Sequence, residues 1–334
     1  MKNVLIFGTG SVGTVHAMLL QKAEARVTCV CRSTYAAAKA SGFTVHSTIF
    51  GTQSFRPNIV KTVKEAVSEQ PPTAPFDFIV VCVKALETGD PGQSPPRIIE
   101  PAVRRGHTSI VIIQNGLGVE RIYHDAFPDN PIISAVTYLP TAQTGPGTFS
   151  HSETQKLHIG PYPAAGAGGE KSLEKTRTFA GLITAAGGNA VVHGDIQIER
   201  WKKLIGNTTW NPICALSGCR DLEFLEASPE LAQFFIINSM REVVAVAVAL
   251  GYGEHVNEDA IKMQVDRSKA RNWPGVEPSM LADMEAGRPM EVETVIGEVV
   301  RVAKRKGVDV PRLETLYLLL KAYNGKLRLK CDSD

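Results

Sequence analysis

The sequence predicts an N-terminal α/β domain built on a doubly wound parallel sheet, followed by a C-terminal all-α domain. Three observations carry this. Through the first half, short apolar runs alternate with helical stretches, the pattern of a parallel sheet covered by helices. A Gly-x-Gly-x-x-Gly run stands directly behind the first apolar run. From Asp195 onward apolar residues recur at helical spacing and strand signals vanish, which sets the expected boundary between residues 1–194 and 195–334. With 334 residues, 43% of them hydrophobic, the chain can bury two cores of ordinary domain size.

In chain order, residues 4–7 read as a buried strand and 13–21 as the helix behind it. Residues 26–31, 76–83 and 109–113 are the next strands, each short and largely β-branched or aromatic. Strands at 132–138 and 156–159 follow, the second after the turn-rich Thr144-Gly145-Pro146-Gly147, and 190–193 is the last. Segments 87–96 and 161–170 are dense in Pro, Gly and Ala and read as exposed loops. In the second half, Ser228-Pro229-Glu230 combines an N-cap residue, a proline in the first turn and an acid favoured by the helix dipole, and the helix is expected to stop at Gly251. Further helices are expected over 258–271, 279–286, 292–306, ended by Gly307, and 312–323 behind Pro311. No internal repeat is visible.

Composition excludes several classes of function. Lys plus Arg number 36 against 34 Asp plus Glu with the signs interspersed, so no basic stripe is available for a nucleic-acid backbone or an anionic membrane. A small-molecule partner is expected, with no nucleic acid and no membrane. The longest apolar run, 243–250, falls far short of the roughly 18 residues of a spanning helix. The apolar start is broken at Gly8, too early for a secretion signal. The six cysteines form no Cys-x-x-Cys, and His and Cys show no zinc-ligand spacing, so reduced thiols, no metal and a cytoplasmic setting are expected.

Gly8-Thr9-Gly10-Ser11-Val12-Gly13, between strand and helix, is a Rossmann-type dinucleotide fingerprint. The first glycine permits the tight turn, the second lets a pyrophosphate approach the backbone, the third allows close helix–strand packing, and the helix N-terminus receives the phosphate charge. The second strand ends at Val30-Cys31-Arg32-Ser33-Thr34, where an NAD enzyme usually places an acid on the ribose hydroxyls. Arg32 stands there instead, and its planar fork suits a 2′-phosphate, which favours NADP (NADPH) as cofactor. Within 201–212, Lys203, Asn207 and Asn211 are spaced i, i+4, i+8, which puts one ammonium and two amides on one helical stripe. Asparagine is a poor helix former, so this stripe points to a polar ligand as readily as to a solvated face.

Over nearly its whole length the chain resembles the ketopantoate reductase (2-dehydropantoate 2-reductase) family. The resemblance rests on the glycine motif, Val83-Lys84-Ala85, Gln114-Asn115-Gly116-Leu117-Gly118, the Trp-x-Lys-Leu-x-x-Asn-x-x-x-Asn-Pro run at 201–212, and Pro278-Ser279-Met280-Leu281-Ala282-Asp283 followed by Glu291. It implies that Lys203 is the catalytic general acid, that Glu291 supports it and contacts the substrate hydroxyl, and that Asn115 lies beside the nicotinamide. It also implies that Asn207, Asn211 and Ser279 contact the substrate, and that Arg32 and Lys84 help hold the adenosine phosphate end of NADP. Two departures fall where the family often has asparagine: Asp221, ten residues beyond Asn211, and Val276, three before Ser279.

The reaction so implied is reduction of ketopantoate: hydride from nicotinamide C4 reaches the ketone carbon and a positioned ammonium protonates the developing alkoxide. Reduction of another branched 2-keto acid on the same scaffold is the second reading, opened by Asp221 and Val276. A non-catalytic NADP-binding sensor is the third, and it would have little use for the Lys203/Glu291 pair. Apolar surface on the helical domain is compatible with a homodimer.

Overall fold

The computed structural model describes residues 1–71, 73–87, 89–167 and 169–331. These form two compact units, one of residues 1–84, 89–114 and 119–196, the other of 85–87, 115–118 and 197 onward. The division lies two residues beyond the expected one, and two short segments of the first half count with the helical unit. Chain order cannot reveal this, because the packing partner of a short connection is chosen in space.

The α/β unit opens with β1 (Asn3–Phe7), buried throughout, then α1 (Ser11–Lys22) and β2 (Arg26–Val30). Next come α2 (Tyr35–Ser41), β3 (Phe43–Ser47), β4 (Gly51–Phe55), β5 (Asn58–Val60), α3 (Val63–Ser68), β6 (Phe78–Val81), α4 (Pro95–Ile99) and β7 (Ser109–Ile112). α5 (Arg121–Ala126), β8 (Ile132–Tyr138), β9 (Thr141–Gly145), β10 (Thr148–His151), β11 (Lys156–Tyr162), α6 (Glu170–Ala185) and β12 (Ala190–Val192) complete it. Eight strands form one sheet in the order β12-β11-β8-β7-β6-β1-β2-β5, parallel throughout except between β8 and β11. β1 lies where the strand order reverses, its Val4–Phe7 in register with Val27–Val30 of β2 and Phe78–Val81 of β6. In open α/β sheets that reversal is where a ligand binds, outside the carboxyl ends of the strands.

Each strand expected from the sequence forms, that at 132–138 with its expected bounds and the others with shifted ends, but a second sheet, β4-β3-β10-β9, was not expected at all. Its edge strands, Gly51–Phe55 and Thr141–Gly145, contain no fully buried residue and are held by pairing with β3 and β10 rather than by an apolar face of their own. The turn expected at 144–147 joins β9 to β10, and α6 has no counterpart among the expected elements. Of the expected loop at 161–170, residues 161 and 162 complete β11; of that at 87–96, Pro91–Gln93 is a 3₁₀ turn and α4 starts at Pro95. β11 and β12 also bring together His158 and His193, far apart in sequence, which share a hydrogen bond at 2.8 Å between Nδ1 and Nε2.

The helical unit consists of α7 (Gln197–Ser217), α8 (Asp221–Ala227), α9 (Pro229–Ala249), α10 (Glu258–Lys269), α11 (Ser279–Glu285), a π turn at Glu293–Gly297, α12 (Glu298–Lys306) and α13 (Pro311–Cys331). α7 packs against α9, α10, α11 and α13. Its Trp201, Leu204, Ile205, Ile213 and Cys214 share one core with Ile236, Met240, Val243 and Leu320, each large aliphatic contributing roughly 1.5–3 kcal/mol by leaving water. Ser228 occupies the N-cap position of α9 without a side-chain capping bond, and Pro229 starts the first turn. By length and composition α9 as a whole is apolar enough to cross a membrane, although its longest unbroken apolar run is short. The core helix of a soluble protein meets the same criterion, and Ile236, Met240, Val243, Val246 and Ala247 of α9 lie in the helical core. The helix expected at 292–306 is broken by the π turn, and the last helix continues beyond Tyr323.

Candidate active site

The three glycines of the first motif differ in what surrounds them. Gly8 has φ 101°, and a Cβ there would lie 2.5 Å from the backbone N of Val83, just past β6. At Gly13 a Cβ would lie 2.2 Å from the carbonyl oxygen of Gly8, so helix and strand could not approach. Gly10 faces open space at the N-cap of α1, where no side chain caps the helix and no acid occupies the first turn. Free N–H donors beside open space fit a diphosphate, so the residues present fit a dinucleotide. Ser11 and Val12, both partly exposed, begin that helix. Thr9 is buried, and its Oγ1 donates to Val30 O at 2.8 Å, tying the glycine loop to the end of β2. Arg32 and Ser33 are exposed immediately beyond, and Lys84 is exposed beyond β6. No Asp or Glu occurs between Glu24 and Glu65, so no acid from this stretch is present to meet a ribose diol.

The helical unit gathers the second group of residues. Lys203 Nζ donates to Asn115 Oδ1 at 2.9 Å, Asn115 Nδ2 donates to Glu291 Oε2 at 3.4 Å, and the backbone N of Ala85 donates to Glu291 Oε1 at 2.9 Å. Asn115, expected beside a nicotinamide, thus links the ammonium to the carboxylate. Burial of the ammonium lowers the Lys203 pKa to about 8; Arg200 and Arg267 push the same way and Glu291 opposes them. Glu291, expected to support the lysine, favours its charged form, and desolvation outweighs that contribution. Near neutral pH the lysine still holds its proton, yet releases it more readily than an exposed lysine.

Backbone geometry around this group explains why these residue types are needed. Gly116 has φ 98° and a Cβ there would fall 2.4 Å from Thr294 Cβ, while Leu117 N donates to Thr294 O at 2.8 Å. The Asn115 loop therefore seats on the π turn, a helix irregularity frequent at functional sites. That turn is fixed by Glu293, which accepts from Arg301 at 2.6 Å and from Tyr317 Oη at 2.9 Å. Arg200, 2% exposed, donates to Gly116 O at 2.7 Å. Asn324 Oδ1 accepts from Met290 N at 2.8 Å and steadies the residue before Glu291. Sequence reading missed Arg200 and Asn324. Arg200 carries a usable signal, standing three residues before Lys203 on the same helix; Asn324, on the last helix, carries none.

Of the expected substrate residues, Asn211 is 5% exposed and its amide is engaged within the protein. Its Oδ1 accepts from Ser279 Oγ and from Met280 N, both at 3.1 Å, and its Nδ2 donates to Asn207 O at 3.2 Å. Asn211 therefore anchors α11 and aims Ser279. Asn207 is partly exposed, and among the described residues none hydrogen-bonds its side-chain amide. Asp221 and Val276, the two departures, meet each other: Val276 N donates to Asp221 Oδ1 at 2.7 Å.

A model of the ketopantoate reductase PanE/ApbA family matches residues 4–164, and the model of that family's C-terminal part matches 195–324. The chain belongs to the ketopantoate reductase family. A 2-dehydropantoate 2-reductase of Methylococcus capsulatus is 32% identical, superposes with a TM-score of 0.83 and covers 97% of this chain, which covers 97% of it. An uncharacterized protein of Saccharomyces cerevisiae is 28% identical over 98% of this chain and 95% of its own, and a 2-dehydropantoate 2-reductase of a Nostoc species is 26% identical over 97% and 95%. The chain is thus an oxidoreductase of this family, with the family's order of an α/β domain and then a helical one.

Proposed function

We propose that this protein reduces 2-dehydropantoate (ketopantoate) to pantoate with NADPH, Lys203 acting as general acid. The observation that carries this reading is the linkage of Lys203, Asn115 and Glu291 around an ammonium whose pKa is lowered to about 8. When bound, the nicotinamide supplies a hydride from C4 to the ketone carbon. As charge grows on the carbonyl oxygen, Lys203 Nζ donates its proton there, and Asn115 keeps Nζ aimed. Glu291 attracts the ammonium and so favours the protonated resting form. The free amide of Asn207 is assigned to donate to a substrate oxygen, and Ser279 Oγ, whose proton goes to Asn211, to accept from the substrate hydroxyl, Asn211 keeping Ser279 in place. Gly8, Gly10 and Gly13 admit the diphosphate, with Arg32 and Lys84 at the adenosine phosphate. Cys29, Cys31, Cys82, Cys214 and Cys219 are free thiols, which suits a reducing cytoplasm.

One observation favours a second reading, reduction of another branched 2-keto acid. The Asp221 carboxylate is bonded to Arg271 and to the backbone of Val276, so neither 221 nor 276 offers an amide to a hydroxyl arm. NADPH oxidation with ketopantoate against a panel of 2-keto acids tests both readings. No turnover with any of them would refute the pair.

The cofactor assignment predicts that Arg32→Glu raises KM for NADPH about 10- to 100-fold while KM for NADH stays within about threefold, since an acid repels a 2′-phosphate and accepts from a free ribose hydroxyl. Equal loss for both cofactors, measured by initial rates, would place Arg32 away from the phosphate.

A further inference from the structure

We infer that Asp221 and Arg271 form a clamp that positions Ser279 and thereby sets the affinity for the 2-keto acid, an inference that rests on the reading above. Asp221 is 1% exposed and is the first residue of α8. Its Oδ1 accepts from Val276 N at 2.7 Å and from Leu222 N at 3.0 Å, and its Oδ2 pairs with Arg271 Nη1 at 3.1 Å. Asp221 N donates back to Val276 O at 3.4 Å, and outside this pair Arg220 Nη2 meets Glu277 Oε2 at 3.3 Å. Gly275, with φ 91°, passes so close that a Cβ there would lie 2.1 Å from Asp221 Oδ1. The link from α10 to α11 is therefore fastened to the start of α8 along residues 271–277.

The link ends at Pro278 and Ser279, where Ser279 Oγ and Met280 N both donate to Asn211 Oδ1 at 3.1 Å. Ser279 is thus held from two sides, by Asn211 of α7 and by the fastened link. A carboxylate this buried requires its cation; without the guanidinium the charge is uncompensated and the link relaxes toward water. Lys203 is held independently, by α7 and Asn115. Loosening the link should therefore weaken substrate binding and spare proton transfer. Asp221 and Arg271 are positioning residues.

The test uses Arg271→Met, Asp221→Asn, the double variant and Arg271→Lys in the full-length protein. Asp221→Asn keeps an oxygen for the two backbone N–H groups and removes only the charge. Each single variant is expected to raise KM for the 2-keto acid about tenfold, with kcat and KM for NADPH within about twofold, the double variant no worse than either, and Arg271→Lys close to wild type. Deuterium exchange of peptide 272–281 is expected to quicken in Arg271→Met and Asp221→Asn, with 200–215 unchanged. Additive KM effects, a lowered kcat at unchanged KM, or a lowered Tm with unchanged KM would each defeat the clamp. The exchange readout needs no turnover, so unchanged exchange defeats it too; a wild-type protein that reduces no 2-keto acid defeats the functional reading instead.

Discussion

Lys203→Ala is expected to lower kcat for 2-keto acid reduction by about 10²–10⁴-fold, the usual effect of removing a positioned acid, while the Kd for NADPH stays within about twofold. The cofactor should be spared because the glycine motif and Arg32, proposed above to hold it, belong to the α/β unit, whereas Lys203 stands on α7. A pH profile separates a chemical role from a structural one. Lys203, with its pKa lowered to about 8, must carry its proton to act as an acid. In the wild type kcat/KM should therefore be level below that pH and fall tenfold per unit above it. The residual activity of Lys203→Ala should lack this descending limb. A variant with near wild-type turnover, or one that keeps the limb, would remove Lys203 from the mechanism.

Ketopantoate is expected to exceed 2-ketoisovalerate, which lacks the hydroxymethyl arm, by well over 200-fold in kcat/KM and by up to about 10⁴-fold. A site built to hydrogen-bond a hydroxyl rejects the analogue without it on that scale, because its polar groups are left unpaired, whereas a methylene alone is worth roughly 10–200-fold. The groups in question are the Asn207 amide, unpartnered among the described residues, and Ser279 Oγ, aimed by Asn211. Competition between the two acids at equal concentration, with products separated, measures the ratio directly. Equal reactivity, or preference for the hydroxyl-free acid, would mean that Val276 leaves an apolar pocket, and the second reading would replace the first.

Much of the α/β unit is legible without coordinates because parallel strands are buried on both faces and write themselves as short apolar runs. The glycine motif is legible for a similar reason: it follows a strand and opens a helix, and at Gly8 and Gly13 there is no room for a Cβ. The second sheet is not legible, since its exposed edge strands pair through backbone atoms that every residue possesses.

The sequence by itself determined the fold class through its periodicity, the glycine motif and the stripe of Lys203, Asn207 and Asn211 through spacing within one segment, and the family only through its resemblance in motifs spread along nearly the whole chain. Only the tertiary structure decided what those side chains touch. It joined Asn115 to Lys203, 88 residues away, and Glu291 to Ala85, 206 away. It turned Asn211 into an anchor for Ser279, and it made Asp221 and Val276, which look like two separate departures along the chain, into one contact. The reason is physical: hydrogen-bond partners and desolvation depend on which atoms approach within about 3 Å after the helices pack, and sequence separation carries no information about that distance.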